Sequence, residues 1–381
     1  MTKKKTCSEY GVCGGCKLYE KTYEDQLELK SEKVKNKLKK FDIEILPIIP
    51  SPITYHYRNK IELTFFNTTN SKIGLGFHQQ GQFNKLVNIS KCLHSPENNA
   101  LLIDFVRKWV NSNEISAYNK RSQEGILRYL IIRDSFKHKS KLLTFVTNGG
   151  ARDLLDELAK ELSEKFQIDG VIWSNQPEHS DAALLNNWEV LCGNNYIMDS
   201  IGEYDFKIPV NSFFQGNSAA ATILYDYIKN LVKEGDNVLD LFCGAGTIST
   251  YIADKAKSVL GIEIVETATE SAYENAKINN ASNVEFVAGK VRERLANMSF
   301  DTQFDTVILD PPRAGTDKKT MRRIGALNPR QIIYVACGYD NLAYNLRILM
   351  EDYPYQIKSV QPLDLFPNTP HVETVIQLLR E

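Results

Sequence analysis

The sequence predicts an α/β fold: a doubly wound parallel sheet in the C-terminal half, an α+β central domain and a short N-terminal cysteine segment. Three observations predict it. Helical and strand patterns alternate beyond residue 205, short β-rich runs dominate residues 45–199, and three of the seven cysteines lie within residues 7–16. We therefore divide the chain into 1–42, 43–200 and 201–381.

The composition is that of an ordinary globular protein. The chain has 381 residues, 43% of them hydrophobic and 24% charged, with a net charge of −1. Any nucleic-acid partner must therefore be held by local basic patches. No apolar run is long enough to cross a bilayer, and the N-terminus lacks the apolar stretch of a signal peptide. We expect a cytoplasmic monomer without membrane contact.

The N-terminal and central elements follow from hydrophobic periodicity. Residues 22–41 predict one amphipathic helix, with apolar side chains at Leu27, Val34, Leu38 and Phe41. Two further helical patterns, at 98–113 and 151–166, interrupt β-rich runs. The predicted strands lie at 58–66, 72–79, 85–93, 126–135, 141–148 and 170–176. Their close spacing predicts a largely antiparallel sheet.

The C-terminal elements alternate in type. Helical patterns lie at 219–232, 268–280, 320–328 and 341–350, and a further helix follows a glycine turn near residue 246. Strand patterns begin at residues 237, 258, 283, 304, 331 and 371. In a doubly wound sheet, ligands bind beyond the carboxyl ends of the strands, where the motifs described next are located.

The segment DLFCGAGT, residues 240–247, follows a predicted strand and opens a predicted helix. Gly244 and Gly246 let the backbone approach a ligand closely, although many α/β domains use such a turn only for packing. Glu263 ends the next strand, where a carboxylate can bind both ribose hydroxyls of an adenine nucleoside, as in NAD enzymes. Two prolines after Asp310 form a stiff loop that suits a flat base near a methyl donor and has no evident role in hydride transfer.

The order of DLFCGAGT, DPPRAG, YVACGYDNLAYNL and HVETV, preceded by SFFQGN at 212–217, resembles the motifs of the S-adenosylmethionine-dependent RNA uracil-5-methyltransferases. These enzymes make 5-methyluridine in ribosomal and transfer RNA. The resemblance covers most of the chain and implies a Rossmann-like methyltransferase domain at 201–381. It implies that the substrate is a uridine flipped out of an RNA loop. Of the two RNA classes, rRNA is the first expectation and tRNA the second. Many relatives begin with a small β-barrel RNA-binding module (TRAM); the cysteines here begin at residue 7, so we expect none.

The N-terminal cysteines suit a metal or iron–sulfur site. Four thiolates can hold a 4Fe-4S cluster or a structural zinc, and the spacing alone leaves both open. Family members with an iron–sulfur cluster share a C-x5-C-x2-C element and a distant fourth cysteine. The resemblance therefore implies a 4Fe-4S cluster, rather than zinc, on Cys7, Cys13, Cys16 and Cys92.

The reaction itself requires a thiolate and a base. Carbon 5 of uracil is a poor nucleophile, and a thiolate added to carbon 6 places negative charge on carbon 5. With the resemblance, Cys337 at a strand end is the expected nucleophile, its pKa lowered by the dipole of a following helix that Asp340 caps. Glu373, inside an apolar final strand, is the expected base that removes the carbon-5 proton. The family usually has Ser-Cys-Asn-Pro where this chain has Ala-Cys-Gly-Tyr at 336–339, so the flanking polar contacts do not carry over.

The resemblance also implies a binding site for S-adenosylmethionine. The expected contacts come from Gln215, Phe242, Glu263 and Asp310. The residues expected to shape the turn are Asp240, Gly244 and Gly246, with Thr247 where many relatives have asparagine. Gly289 and Lys290 stand where relatives more often place a polar contact to adenine, and that contact stays open.

Residues 55–60 interleave aromatic and basic side chains, and Arg128 and Arg133 extend this pattern. The pattern fits an RNA-binding surface, and it fits an ordinary solvent-exposed surface equally well.

Two other functions compete with RNA uracil methylation. A methyltransferase of exocyclic amino groups normally has an aromatic residue after the double proline, where Arg313 stands here. A non-catalytic RNA-binding protein of the same fold would have little reason to keep both Cys337 and Glu373.

Overall fold

The computed structural model describes residues 6–177, 180, 182–183, 185–298, 303–339 and 341–381. The helices are α1 Tyr23–Leu38, α2 Asn99–Ser112, α3 Arg152–Lys165, α4 Ser218–Leu231, α5 Thr247–Ile252, α6 Glu266–Ile278, α7 Val291–Ala296, α8 Lys318–Ala326 and α9 Leu342–Glu351. The strands of the N-terminal half are β1 Lys60–Asn67, β2 Ile73–Gln79, β3 Gln82–Asn88, β4 Leu127–Asp134, β5 Lys141–Thr147, β6 Gly170–Asn175 and β7 Trp188–Gly193. The later strands are β8 Tyr196–Ile201, β9 Tyr204–Pro209, β10 Asn237–Leu241, β11 Ser258–Glu263, β12 Val284–Ala288, β13 Thr306–Leu309, β14 Gln331–Ala336, β15 Tyr355–Leu363 and β16 Glu373–Arg380.

The central sheet has the strand order β3-β2-β1-β4-β5-β6-β7. Its neighbours run antiparallel except β5 and β6, which are parallel and joined through helix α3. Helices α2 and α3 cover one face, where they share a hydrophobic core with alternate side chains of β1 and β2. The antiparallel character predicted from the β-rich runs is thus present, and β7 is a strand that the sequence reasoning missed.

The C-terminal sheet has the order β12-β11-β10-β13-β14-β16-β15. The first five strands are parallel, and the last two return antiparallel as a hairpin at one edge. Helices α4, α5 and α6 pack on one face, while α7, α8 and α9 pack on the other. The predicted α/β fold with a doubly wound parallel sheet is confirmed.

Four strands and one short helix lay outside the predictions, although β8 and β9 alternate clearly between buried and half-exposed side chains. These two strands form a separate hairpin that turns at Gly202, whose φ is 58°. Strand β15, at the edge of the C-terminal sheet, was missed because its first half is largely polar and partly exposed. This strand is defined by its pairing with β16 rather than by its own sequence pattern.

Helix α1 is the predicted amphipathic helix, but its buried face differs from the predicted one. Its buried side chains are Gln26, Lys30, Val34 and Leu38. The two apolar ones join the core of the C-terminal sheet. The two polar ones bind the segment that leads into β16: Lys30 Nζ lies 2.6 Å from Asp364 Oδ1, and Gln26 Nε2 lies 3.2 Å from Asn368 Oδ1. The N-terminal helix therefore fastens the approach to Glu373.

Lys30 and Asp364 form a fully buried ion pair, with side chains 1% and 0% exposed. We expect Lys30→Ala to lower the free energy of unfolding by about 3–5 kcal/mol, because it leaves the Asp364 carboxylate buried without its cation. The measurement is urea unfolding followed by circular dichroism. The matched control is Lys35→Ala on the exposed face of the same helix, with a change below about 1 kcal/mol. Equal effects of the two substitutions would contradict the role of the pair.

Candidate active site

Cys337 and Glu373 meet at one end of the C-terminal sheet. Strands β14 and β16 are antiparallel neighbours in which Ala336 lies opposite Thr374. Cys337 directly follows β14 and Glu373 begins β16, so the register places the two side by side. Glu373 is 8% exposed, and Cys337 is half-buried. The structure thus brings together a thiol and a carboxyl group that lie 36 positions apart in the chain.

The thiol of Cys337 is protonated in the isolated protein at neutral pH. Burial, aided by the negative charges of Glu373 and Asp310, raises its pKa to about 11, while Arg313 acts in the opposite direction. The predicted lowering of this pKa is therefore wrong. Helix α9 begins at Leu342, and burial together with the two carboxylates determines the direction of the shift at the thiol. Asp340, the predicted cap, lies outside the described residues.

Two carboxyl groups beside the thiol also hold their protons unusually tightly. Burial raises the pKa of Glu373 to about 8, with a further contribution from the charge of Asp310 and a lowering one from Arg313. Burial raises the pKa of Asp310 to about 7. A bound cation would lower both values and would itself be stabilised by the two carboxylates. The group formed by Asp310, Cys337 and Glu373 is therefore suited to a positively charged ligand and to proton transfer near neutral pH.

The double-proline loop packs closely against Gly338, the residue after Cys337. A Cβ atom placed on Gly338 would lie only 2.5 Å from the carbonyl oxygen of Arg313. A larger side chain at 338 would push this loop away from Cys337. Gly338 thus allows the backbone of the loop to lie close to the residue that follows Cys337.

The predicted glycine turn connects β10 to α5. Phe242, Gly244 and Gly246 all have left-handed backbones, with φ of 65°, 55° and 70°. A Cβ on Gly246 would lie 2.7 Å from the ring of Phe286 and 2.8 Å from Ala272. Gly246 is therefore required for packing of the turn against the sheet, while Gly244 has open space beside it.

Glu263 and Asp240 play different parts around this turn. The carboxylate of Glu263 accepts hydrogen bonds from the backbone N–H groups of Gly244, at 3.0 Å, and Val265, at 2.9 Å. Each oxygen keeps a lone pair for a ligand hydroxyl. Asp240 is fully buried beneath the turn, where Ser249 Oγ donates to it at 2.5 Å. Burial raises the pKa of Asp240 to about 7.

Tyr225 on α4 is a contact that the sequence reasoning missed. Its hydroxyl lies 2.8 Å from Thr247 Oγ1 and also hydrogen-bonds the side chain of Gln215. Tyr225 thereby joins two predicted ligand-binding residues from separate segments. A buried tyrosine inside an apolar helix needs a partner for its hydroxyl, which is the one sequence signal that could have pointed to it.

A cavity of about 220 Å³ lies between the glycine turn and α6. Its lining includes Gly244, Glu263 and Val265, with Phe213 from the SFFQGN segment. The Phe213 side chain is 74% exposed at its mouth. This cavity has the position in which a doubly wound sheet binds nucleotides.

The four cysteines Cys7, Cys13, Cys16 and Cys92 line one cavity of about 470 Å³ beside the central sheet. Cys13 pairs with Gln79 at the end of β2. Burial raises the pKa of all four thiols, that of Cys16 to about 12. Among the described residues, no group of three or more His, Cys, Asp or Glu side chains is arranged to hold a metal ion. The predicted 4Fe-4S site is therefore not confirmed and stays a prediction.

The predicted RNA surface is only partly exposed. Arg58 and Lys60 line a groove of about 580 Å³ that also contains Gln215. Arg128 and Arg133 are 3% and 6% exposed, and both donate hydrogen bonds to backbone carbonyls. The predicted place of Arg128 on an RNA-binding surface is wrong, because its guanidinium group stabilises a loop inside the fold. Arg133, although buried, lines the same groove as Arg58 and Lys60.

Within the part of the chain that the structure describes, no helix is both long and apolar enough to span a membrane.

Two family models match the chain. The model described as tRNA (uracil-5-)-methyltransferase matches residues 191–381, which include every motif from SFFQGN to HVETV. The model described as DNA methylase matches residues 83–274 and ends before Asp310, Cys337 and Glu373.

Curated relatives match almost the entire chain. An uncharacterized RNA methyltransferase of Caldanaerobacter subterraneus subsp. tengcongensis is 36% identical over 97% of this chain and 83% of its own. One of Oceanobacillus iheyensis is 36% identical over 96% of this chain and 81% of its own. The crystal structure of Pyrococcus abyssi tRNA (uracil-54, C5)-methyltransferase, in complex with S-adenosyl-L-homocysteine, is 30% identical. It superposes with a TM-score of 0.80 over 97% of this chain and 86% of that one.

Proposed function

Since the chain belongs to the tRNA (uracil-5-)-methyltransferase family and is an RNA methyltransferase, we propose that it transfers a methyl group from S-adenosylmethionine to carbon 5 of a uridine in RNA. The transfer proceeds through a covalent adduct between Cys337 and the uracil ring. The observation that carries the proposal is the pairing of Cys337 with Glu373 at one sheet edge, beside Asp310.

Cys337 is the nucleophile. Its thiolate adds to carbon 6 of uracil, which places the electron pair of the broken double bond on the carbon 5 and oxygen 4 enolate. When bound, S-adenosylmethionine would supply carbon 5 with an electrophilic methyl group from its sulfonium and would be released as the neutral thioether. The high pKa of Cys337 makes the thiolate reactive once it forms, and a bound cation would offset the charges that oppose its formation.

Glu373 is the base. After methyl transfer carbon 5 carries both a proton and the new methyl group, so the proton must leave before the thiolate can be expelled. Glu373 stands beside Cys337 and takes this proton as a carboxylate. Its pKa of about 8 makes it a stronger base than an exposed glutamate. The electron pair of the broken C–H bond restores the ring and releases Cys337.

The described residues fit S-adenosylmethionine. The partly buried carboxyl of Asp310 suits the sulfonium, Glu263 keeps lone pairs for ribose hydroxyls, and the space beside Gly244 leaves the turn open to a ligand. We propose that Gln215 and Phe242 also contact S-adenosylmethionine. Asp240, Gly246 and Thr247 would support the turn from beneath, the last through Tyr225.

We also propose a 4Fe-4S cluster on Cys7, Cys13, Cys16 and Cys92, supported by the shared cavity that they line. Its role would be structural, because methyl transfer to uracil moves no net electrons. Iron and sulfide analysis of anaerobically purified protein tests this; zinc in place of iron would contradict it.

Residues 43–200 would recognise RNA and residues 201–381 would carry out methyl transfer, with the segment 1–42 joining them. The target uridine must be flipped out, because Cys337 has to reach the face of its ring. A monomeric state and a cytoplasmic location stay predictions. The preference for rRNA over tRNA is likewise open to experiment.

Mass spectrometry of nucleosides tests the proposal directly. In a strain that lacks the gene, 5-methyluridine should disappear from one RNA species, rRNA or tRNA, and the purified protein should restore it to that RNA. Unchanged 5-methyluridine in all fractions, with no activity of the pure protein on either RNA, would contradict the proposal.

The match to the DNA methylase model favours one second candidate, methylation of an exocyclic amino group. Arg313 after the double proline argues against it, since that position would hold an aromatic residue stacked on the base. Tritium release from carbon-5-labelled uridine separates the two reactions, because transfer to an amino group leaves that tritium in place. Release of tritium would also exclude a non-catalytic RNA-binding function, because it requires reaction at carbon 5.

The pKa values predict the pH dependence of turnover. Activity requires Glu373 as carboxylate and Cys337 as thiolate, and their pKa values of about 8 and about 11 both lie above neutrality. The rate of tritium release should therefore rise at least about tenfold from pH 7 to pH 9. Binding of S-adenosylhomocysteine, measured at the same pH values, is the control. A rate that is flat or falls over this range would contradict the assignment.

A further inference from the structure

A second groove lies on the central sheet. This distal groove, of about 710 Å³, is formed by the end of β1, by β3 and by the loop at residues 117–121. Its lining includes Phe66, Lys85, Tyr118, Lys120 and Arg121. The groove that contains Arg58, Lys60 and Gln215, here the proximal groove, shares Ser212 and Phe213 with the cavity beside the glycine turn.

Strand β1 joins the two grooves. Its side chains alternate, so that Ile61, Leu63 and Phe65 are buried in the core and the intervening side chains are only half-buried. Lys60 lies in the proximal groove and Phe66 in the distal one, on the same face of the strand. Six residues of a strand span about 20 Å. An extended ligand could therefore follow this face from one groove to the other.

The cavity of the cysteines lies between the grooves. It shares Arg58 and Lys60 with the proximal groove, and His78 and Gln79 with the distal groove. The three depressions thus form one continuous surface. Helices α2 and α3 cover the other face of this part of the sheet and leave the surface accessible.

The two grooves are basic although the protein is not, while the cavity between them also contains Glu9 and Glu62. The chain has 46 Lys and Arg against 47 Asp and Glu. Yet among the residues that the structure describes, no carboxylate lines either groove, whereas Lys85, Lys120 and Arg121 line the distal one. All three of these basic residues are exposed. Such local concentration favours a polyanion over a neutral or acidic partner.

Aromatic rings accompany the basic groups. A Cβ on Gly74 would lie 2.6 Å from the ring of Phe66, so this glycine allows the ring to lie against the sheet. The guanidinium of Arg128 lies 4.6 Å from the centre of the ring of Tyr118 and supports it from within the fold. Phosphate-binding cations next to supported aromatic rings are the features with which proteins bind RNA strands.

We propose that the distal groove binds the phosphate backbone of the substrate RNA at a distance from the target uridine, through Lys85, Lys120 and Arg121. This inference rests on the proposed function, since it assigns the RNA a path from the proximal groove along β1. The groove contributes affinity for an extended RNA and takes no part in the chemical step.

The test compares two triple variants with the wild-type protein. The distal variant carries Lys85→Ala, Lys120→Ala and Arg121→Ala. The control carries Lys108→Ala, Lys160→Ala and Lys165→Ala, which remove the same charge from α2 and α3 on the covered face of the same sheet. Binding is measured by fluorescence anisotropy over a series of salt concentrations. The probes are an unmodified transcript of the RNA, rRNA domain or tRNA, that loses 5-methyluridine in the deletion strain, and a short stem-loop excised around its target uridine.

For the transcript, the distal variant should raise Kd at least about tenfold and lower the slope of log Kd against log salt by about two units. For the stem-loop it should match the wild type, as the control should with both probes. An unchanged Kd, an equal effect of the control, or an equal effect on the stem-loop would overturn the inference. If the triple variant is less stable than the wild type, Arg121→Ala alone decides, with an expected slope change of about 0.7–0.9.

Binding is measured without cofactor, so this result does not depend on methylation. Absence of 5-methyluridine from the products of the wild-type protein would contradict the proposed function alone. Loss of the salt-dependent difference between the variants would contradict the distal groove alone.

Discussion

Cys337→Ala protein is expected to lose methyl transfer to RNA by at least about a thousandfold, because the substitution removes the thiolate that forms the bond to carbon 6. Its affinity for S-adenosylhomocysteine should stay within about twofold of the wild type, since the glycine turn and Glu263 are untouched. The measurement is transfer of a labelled methyl group to RNA, together with calorimetric binding of S-adenosylhomocysteine.

The matched control for this experiment is Cys192→Ala. Cys192 is another partly exposed cysteine, and it lies in β7 of the central sheet. The Cys192→Ala protein should keep the full methyl-transfer activity of the wild type. If Cys337→Ala still methylates RNA at a comparable rate, the thiol is not the nucleophile and the covalent mechanism is wrong.

Glu373→Gln protein is expected to accumulate a covalent adduct with RNA. The substitution keeps the shape of the side chain and removes the base, so the methylated ring keeps its carbon-5 proton and the thiolate cannot leave. It also removes a negative charge that raises the pKa of Cys337, so formation of the adduct is not impaired. A slowly migrating band on a denaturing gel, dependent on S-adenosylmethionine and removed by ribonuclease, is the expected result.

The control for the adduct is the double variant Cys337→Ala with Glu373→Gln, which should give no band. Free turnover by Glu373→Gln at a rate near that of the wild type would show that another group removes the proton. Absence of the band with a fully folded Glu373→Gln protein would equally count against Glu373 as the base.

Several features of the site follow from local sequence. The glycine turn at 244–246, the strand-end carboxylates Glu263 and Asp310, and the strand-end Cys337 all occupy the places that the strand and helix patterns predict. Their placement could be predicted because parallel strands end at one sheet edge, whatever the details of packing. Glu373 is the exception, since it comes to this edge on an antiparallel strand.

Other features depend on contacts between distant segments. The direction of the shift in the pKa of Cys337 was predicted wrongly, because Glu373 and Asp310 approach it only in the folded chain. Arg128 and Arg133 look like surface cations in the sequence and are buried in the structure. Burial of a guanidinium depends on carbonyl partners far away in the chain, which no local pattern reveals.

By itself the sequence determined the α/β architecture and the order of the motifs, because strand and helix periodicity and strand-end residue types are local properties. Only the tertiary structure decided that Lys30 of the N-terminal helix holds the segment before Glu373, through Asp364. The same is true of β1, whose alternate side chains link the proximal and distal grooves. Both depend on which surfaces pack together, and packing is a property of the whole chain.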